Sequence, residues 1–192
     1  MTTVSAPLEL IWALIGLLLT IGGTFLEASI ASPSWNGIQA GIPIHSLGVT
    51  YQIGAVLLVG CLGGKNAGAL SQIAYVALGL MWLPVFTEGG GLDYINQPTF
   101  GYLLGFIPGA WICGWLAFKM ALRLESLAFS CVCGLLSVHA IGLIYLAINL
   151  HSDAQTLIDG VFKYSIYPLP GQLAVVCAVT VLAFILRRLM FY

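Results

Sequence analysis

Charged residues are scarce in this sequence. Only 7% of its 192 residues are Asp, Glu, Lys or Arg, whereas soluble domains carry about 25%. So few charges cannot cover a water-exposed surface, which argues against a soluble enzyme and a disordered chain. A formal net charge of -1 argues against a nucleic-acid-binding protein, because such proteins need a clustered basic face. Apolar residues make up 60% of the chain, which indicates a protein embedded in a lipid bilayer.

Motifs for catalysis and nucleotide binding are also missing. The sequence has no G-x-x-x-x-G-K-[ST] phosphate loop, so the chain alone cannot hydrolyse ATP, and it has no H-E-x-x-H or G-x-S-x-G motif. Ser137 and His139 are two residues apart on a predicted helix and point to different faces. We therefore expect His139 to be a hydrogen-bonded residue of the bundle. The apolar runs hold no Asp, Glu, Lys or Arg in their interiors, which argues against an ion-driven pump.

The five cysteines all fall within apolar runs: Cys61, Cys113, Cys131, Cys133 and Cys177. None of them has zinc-ligand spacing with a histidine nearby. We expect them to be small apolar residues packed between helices, and the sequence predicts neither a metal site nor a bound cofactor.

Six apolar runs dominate the chain, and a membrane-spanning helix needs about 20 such residues. They cover residues 8–27, 47–63, 67–83, 99–118, 127–150 and 169–189. The second and third runs are joined only by Gly64-Lys65-Asn66. The pattern predicts an all-α membrane protein in which residues 1–192 form a single six-helix bundle.

Basic residues sort to one end of this predicted bundle. If the six spans alternate in direction, one end carries Lys65, Lys119, Arg123, Arg187 and Arg188. The positive-inside rule makes that end cytoplasmic and places both termini there. The connections at the opposite end are long, residues 28–46, 84–98 and 151–168. Long loops on a rigid scaffold commonly carry binding sites.

Uncharged polar side chains lie near the outer ends of the predicted spans. They are Gln52, Gln72, Tyr75, Thr99, Tyr102 and Gln172. Amides in hydrocarbon are costly unless they are paired. Two explanations stay open: these groups hydrogen-bond neighbouring helices, or they line a pocket for a neutral amide- or urea-like ligand, since an amide both donates and accepts.

The outer connection 84–98 contains three successive glycines, Gly89, Gly90 and Gly91. Pro84 ends the helix before them, and glycine lets the main chain approach a ligand closely. The segment is either a lid hinged at these glycines or a simple flexible turn.

A stripe of small residues follows the first span, with Gly16, Thr20, Thr24 and Ala28 spaced four apart. Such stripes allow another helix to approach closely. The stripe either packs inside the bundle or contacts a separate membrane partner.

Residues 52–109 resemble a known family. The stretch contains Gly63-Gly64-Lys65-Asn66-Ala67-Gly68, Tyr75-Val76-Ala77-Leu78-Gly79, Leu83-Pro84-Val85-Phe86 and Pro98-Thr99-Phe100-Gly101-Tyr102-Leu103-Leu104-Gly105-Phe106. It is similar to the BioY family, the biotin-specific substrate-binding (S) components of energy-coupling factor (ECF) transporters. The Leu-Pro-Val-Phe block followed by Pro-Thr-x-Gly-Tyr-Leu-x-Gly-Phe is the specific part.

The resemblance implies a six-helix S component of the cell membrane that captures biotin from outside and is not an enzyme. Transport would use a transmembrane coupling subunit and two cytosolic ATPases, which alone would consume ATP, or else self-association of this chain. The coupling subunit would dock on small residues of the first helix, here Gly16, Thr20 and Thr24.

This interpretation nominates two sets of ligand contacts. Aromatic side chains would enclose the biotin ring and aliphatic chain: Tyr75, Trp82, Phe86 and Tyr102. Amides and hydroxyls would hold the polar head: Gln72, Asn96, Thr99 and Gln172. The segment 84–98 would close over them, with Gly90 in its hinge.

The last helix departs from the family pattern. The family's helix opens with Pro-x-x-Gly-Asp-x-x-Lys, whose acid and lysine contact the ligand, whereas this chain has Gln172 and Val175 at those positions. Gln172 can still hydrogen-bond a urea ring, but Val175 cannot hold a carboxylate. Lys163 is the remaining cation of the outer side, either as the substitute partner of the carboxylate or as a solvated loop lysine.

Other functions stay open at this point. The same architecture could capture a different small vitamin. An intramembrane enzyme would have to use Ser137, His139 or the loop histidines His45 and His151. A structural subunit would bind no ligand at all.

Overall fold

The structure, a computed structural model, describes residues 6–31, 44–81, 83–150 and 153–190. Its helices are α1 (Ala6–Thr24), α2 (Gln52–Leu80), α3 (Phe100–Lys119), α4 (Leu124–Asn149), α5 (Ala154–Val161) and α6 (Leu169–Leu189). The other elements are two strands, β1 (Glu27–Ala31) and β2 (Ile44–Thr50), a 3-10 helix (Leu92–Asn96) and a π-helical turn (Phe162–Ile166). In this part of the chain, five helical segments are long and apolar enough to cross a membrane.

Helix α2 folds back on itself at Gly64. The φ of Gly64 is 81°, in the left-handed region that glycine adopts without a steric penalty. Residues Gly60 and Gly68 would lie about 12 Å apart in a continuous helix, yet a Cβ added to Gly68 would lie 3.3 Å from the Gly60 Cα. Gln52 Nε2 likewise reaches the Tyr75 hydroxyl at 2.9 Å. The second and third predicted runs are therefore two antiparallel arms of α2.

The two arms of α2 occupy the centre of the bundle. α2 packs against α1 and α3, α3 packs against α4, and α6 lies on α2 and α4. Glycines permit these close approaches: a Cβ on Gly60 would lie 2.8 Å from the Ala110 carbonyl oxygen, and one on Gly134 would lie 2.8 Å from that of Gly109. Large apolar side chains such as Leu10 on α1 remain exposed, as expected of a surface that faces lipid.

The long connections contain structure that hydropathy does not predict. Strands β1 and β2 pair in antiparallel fashion, with Ser29 opposite Ser46, so the all-α prediction is corrected to a mostly helical fold with a two-stranded sheet. β2 lies against α6, because a Cβ on Gly171 would come 2.5 Å from the Leu47 carbonyl oxygen. This sheet and the short helical turns place polar side chains around one end of the bundle.

Candidate ligand-binding site

A cleft of about 290 Å³ opens at this end of the bundle, close to the lower limit of roughly 300 Å³ for small-molecule pockets. Its walls come from β2, the first turn of α2, the connection 84–98, the first turns of α3, the middle of α4, the π-helical turn and the start of α6. Polar groups at the cleft include Gln52, Thr99, Tyr102 and Gln172. Its apolar wall includes Ile53, Leu103, Phe106 and Val138.

A chain of hydrogen bonds fixes the Gln172 amide. Tyr102 Oη lies 2.6 Å from Ser165 Oγ, Ser165 Oγ lies 3.1 Å from His139 Nδ1, and His139 Nε2 lies 2.7 Å from Gln172 Oε1. An amide oxygen only accepts, so we assign the imidazole proton to Nε2. Ser165 then donates to Nδ1 and Tyr102 donates to Ser165. This arrangement leaves the Gln172 amide hydrogens available at the cleft.

The buried Tyr75 hydroxyl fixes the Gln52 amide on the side away from the cleft. The Gln52 Nε2 group donates to the Tyr75 hydroxyl at 2.9 Å, and that hydroxyl donates to the Val85 carbonyl at 2.8 Å. The Tyr75 side chain is fully buried and also lies 3.1 Å from Thr24 Oγ1. The bond to Tyr75 uses one of the two amide hydrogens of Gln52, and the amide oxygen of Gln52 remains available to accept.

The connection 84–98 is anchored to the bundle. Phe86 is 1% exposed, with its ring 5.3 Å from that of Tyr75 and 4.6 Å from that of Tyr94. The Gly91 amide donates to the Gly79 carbonyl at 2.7 Å. Gly91 has a φ of 98°, which L side chains rarely adopt. The buried Phe86 side chain thus anchors the segment 84–98 beside the cleft.

Charges lie at the cleft as well. Glu88 and Lys163 both line it, and Lys163 Nζ lies 5.0 Å from the ring centroid of Tyr164. Burial raises the pKa of the Tyr94 hydroxyl above its ordinary value, with a further increase from the Glu88 charge and a partial offset from the Thr99 hydrogen bond. Tyr94 therefore remains a neutral hydroxyl at physiological pH.

The structure brings four of the predicted ligand contacts together at the cleft: Thr99, Tyr102, Lys163 and Gln172. Other predicted contacts do not line this cleft. Tyr75 and Phe86 are buried behind it, and Gln72 lies between helices, where its Nε2 donates to Thr20 at 3.1 Å.

The predicted ligand contacts Asn96 and Gly90 also do not appear in the cleft lining. Asn96 is exposed at the end of the 3-10 helix, outside the cleft lining. Gly90 is a tight spot in the main chain rather than a lining residue, since a Cβ there would lie 2.2 Å from the Leu83 carbonyl oxygen. Trp82 lies outside the described residues.

Gln52, which the sequence offered as a possible pocket residue, lines the cleft. Other lining residues were not nominated from the sequence, among them Thr87, Glu88, Tyr94 and Tyr164. They come from connections, whose fold hydropathy does not predict. Val175 is 3% exposed and packs on Gly54, so it belongs to the bundle core.

The small-residue stripe of α1 faces inward. A Cβ on Gly16 would lie 2.6 Å from Val59 Cγ2, and Thr20, Thr24 and Ala28 are buried. The stripe therefore packs against α2, which is the first of the two alternatives that the sequence left open, and its contact with a coupling subunit stays a prediction.

A cleft with paired amides, set in a bundle of helices long and apolar enough to cross a membrane, is the arrangement expected of a membrane protein that binds a small polar ligand. A solved structure, the S-component for biotin from an ECF-type ABC transporter, shares this fold: the TM-score is 0.72 over 98% of this chain and 95% of that chain, with 21% sequence identity. The BioY family model matches residues 6–191. This chain belongs to the BioY family.

Curated relatives agree with that membership. A probable biotin transporter BioY of Lysinibacillus sphaericus is 39% identical over 111 residues, which cover 57% of this chain and 57% of that protein. A biotin transporter BioY of Thermotoga maritima is 38% identical over 128 residues, which cover 65% of this chain and 73% of that protein. An uncharacterized 21.2 kDa protein of Cyanophora paradoxa is 28% identical over 183 residues, covering 94% of this chain and 95% of the relative.

Proposed function

We propose that this chain binds biotin in the outer cleft and serves as the S component of an ECF-type transporter in the cell membrane. Family membership supports the ligand. The observation that carries the proposal is the pair of amides at the cleft, Gln52 and Gln172, each held at one end by a hydrogen bond from behind.

The two fixed amides are complementary to a urea group. Gln172 Oε1 is occupied by His139, so its Nε2 donates to the ureido carbonyl. Gln52 Nε2 is occupied by Tyr75, so its Oε1 accepts from a ureido N–H. The apolar side chains Ile53 and Phe106, which line the same cleft, suit the sulfur-containing ring and the aliphatic chain.

Lys163 is the proposed partner of the biotin carboxylate. It is exposed and lines the cleft, whereas Val175 is apolar and packed against Gly54. A cation at the rim would leave the carboxylate partly hydrated, which costs less than burying it.

The arms of α2 support a topology with six crossings and both termini in the cytoplasm. Lys65 follows the reversal at Gly64 and lies over the Trp111 ring of α3, 5.5 Å from its centroid. Arg187 of α6 donates to the Ala117 carbonyl of α3 at 2.8 Å. Lys65 of α2, Arg187 of α6 and Lys119 in the last turn of α3 thus lie at the end away from the cleft, and the positive-inside rule favours a cytoplasmic location for that end.

Transport itself is proposed to need partners. The sequence holds no phosphate loop, so a coupling subunit and two cytosolic ATPases would supply the energy, with self-association of the chain as the alternative. An enzymatic role has no support at His139, because both of its ring nitrogens are engaged, by Ser165 and by Gln172.

Titration of biotin into the purified, detergent-solubilised chain by calorimetry tests the proposal. We expect sub-micromolar binding. Gln172→Leu should weaken it about 5- to 150-fold, because leaving one ureido partner unpaired costs about 1–3 kcal/mol. Gln155→Leu is the matched control, since Gln155 is exposed on α5, away from the cleft.

Two results would count against biotin in the cleft: no heat of binding, or equal affinities for the Gln172→Leu and Gln155→Leu variants. Binding of a different small vitamin in place of biotin would keep the cleft and change the ligand. Uptake of labelled biotin by cells, with and without the coupling subunit and ATPases, then tests the need for partners.

A further inference from the structure

Three cysteine thiols converge inside the bundle. Cys61 Sγ lies 3.6 Å from Cys113 Sγ and 3.5 Å from Cys131 Sγ, and the three sulfurs all lie within 4.8 Å of one another. Each side chain is 0% exposed. The cysteines come from α2, α3 and α4, and none of them lines the cleft described above.

The close approach of these helices depends on glycine. A Cβ on Gly134 of α4 would lie 3.0 Å from the Cys113 Cβ, and one on Gly60 of α2 would lie 3.4 Å from the same atom. Side chains at Gly60 and Gly134 would therefore separate the helices and the sulfurs. The glycines of α2 and α4 thus allow these helices to pack on α3 closely enough to bring the three sulfur atoms together.

We propose that Cys61, Cys113 and Cys131 bind one soft monovalent metal ion, Cu(I), in a three-coordinate thiolate site. Soft sulfur ligands select Cu(I) among available metals, whereas Mg²⁺ and Ca²⁺ prefer oxygen. A metal–sulfur bond of about 2.3 Å sets trigonal sulfurs about 4.0 Å apart, and structural zinc prefers four ligands. The sulfurs need to separate by a few tenths of an ångström, which side-chain rotation supplies.

The charge of such a site is partly balanced locally. Cu(I) with three thiolates releases three protons and carries a net charge of −2, because the thiolate is the metal-binding form of cysteine. The Arg187 guanidinium donates to the Ala117 carbonyl, and Ala117 lies one helical turn from Cys113 on the same face of α3. The Arg187 charge offsets part of the site's charge in a medium where an unbalanced ion would be expensive.

The cluster lies toward the basic end of the bundle. Cys61 precedes the Gly64 reversal by three residues, and Cys113 precedes Lys119 at the end of α3 by six residues, which is about 9 Å along a helix. The site is thus separate from the outer cleft and lies nearer the end that carries Lys65 and Lys119.

The test is an oxygen-free titration of the purified chain with Cu(I), supplied as its acetonitrile complex, against the chromogenic chelator bicinchoninate. We expect one Cu(I) per chain, release of about three protons per ion and a higher melting temperature, because a ligand that binds the native state stabilises it. X-ray absorption at the copper edge should show three sulfur neighbours at about 2.3 Å, near the metal–thiolate length.

Variants separate this cluster from the other cysteines. Cys61→Ser, Cys113→Ser and Cys131→Ser should each lower Cu(I) affinity at least tenfold. Cys177→Ser and Cys133→Ser are matched controls, since Cys177 is exposed and Cys133 is only partly buried, and they should bind like the unaltered chain. Loss of binding in Cys177→Ser, equal binding in Cys61→Ser, or fewer than three sulfur neighbours in the unaltered chain would overturn the proposal.

Discussion

Replacing Tyr75 with phenylalanine tests whether this residue supports the cleft from behind. Its hydroxyl contacts the Val85 carbonyl at 2.8 Å, Gln52 Nε2 at 2.9 Å and Thr24 Oγ1 at 3.1 Å. The Tyr75 side chain is 0% exposed, so water cannot replace these partners. One oxygen atom thus connects α1, both arms of α2 and the connection 84–98.

The magnitude follows from these three contacts. Polar contacts between membrane helices average about 0.6 kcal/mol each, so Tyr75→Phe should lower the free energy of unfolding by about 2 kcal/mol. For a chain of this size that corresponds to a melting temperature about 4–8 °C lower. Tyr51→Phe is the control, because Tyr51 is 43% exposed and should melt like the unaltered protein.

Thermal unfolding in detergent, followed by circular dichroism, measures this effect. A double-mutant cycle with Gln52→Leu isolates the shared hydrogen bond, and we expect a coupling of at least about 0.5 kcal/mol. Tyr75→Phe should also weaken biotin binding less than Gln52→Leu does, since Tyr75 acts through Gln52. An unchanged melting temperature, or fully additive effects of the two substitutions, would refute the reasoning.

Three further predictions concern the lid, the rim and the helix packing. Gly90→Val should reduce biotin uptake while the protein still inserts, because a Cβ at Gly90 would lie 2.2 Å from a main-chain oxygen; unchanged uptake would count against a closing role of segment 84–98. Lys163→Ala should weaken calorimetric binding of biotin more than binding of biotin amide, and equal losses would remove Lys163 from the carboxylate. Gly114→Ala should destabilise the bundle by about 1–3 kcal/mol, since its Cβ would lie 2.5 Å from the Lys65 amide nitrogen. Gly22→Ala, with open space around it, should be neutral or stabilising in the same unfolding assay, and similar behaviour of the two alanine variants would contradict this packing argument.

The membrane bundle follows from the sequence because long apolar runs leave a chain few alternatives in lipid. The loop Gly64-Lys65-Asn66 separates two runs, and the structure shows a reversal at Gly64. The strands β1 and β2 were missed, since connections are not governed by hydropathy. The contact of Gly171 with Leu47 also places β2 against α6, and these two residues are far apart in the chain.

The cleft was only partly predictable for a related reason. A uniformly apolar helix has no polar face to show which side chains point inward, so Gln72 and Gln172 look equivalent in sequence. In the structure, Gln72 bonds Thr20 between helices, whereas Gln172 faces the cleft with His139 behind it. The partner on another helix, Thr20 for Gln72 and His139 for Gln172, decides the role of each glutamine, and the sequence does not show that partner.

The reversal at Gly64 has a consequence for biogenesis under the proposed topology. The first arm of α2 ends in a tight three-residue corner, so the nascent chain offers no separate loop on which the insertion machinery could pause between the arms. Both arms should therefore enter the bilayer as one unit. A substitution that stiffens the corner, such as Gly64→Val, should appear first as a defect in integration, before any loss of ligand affinity.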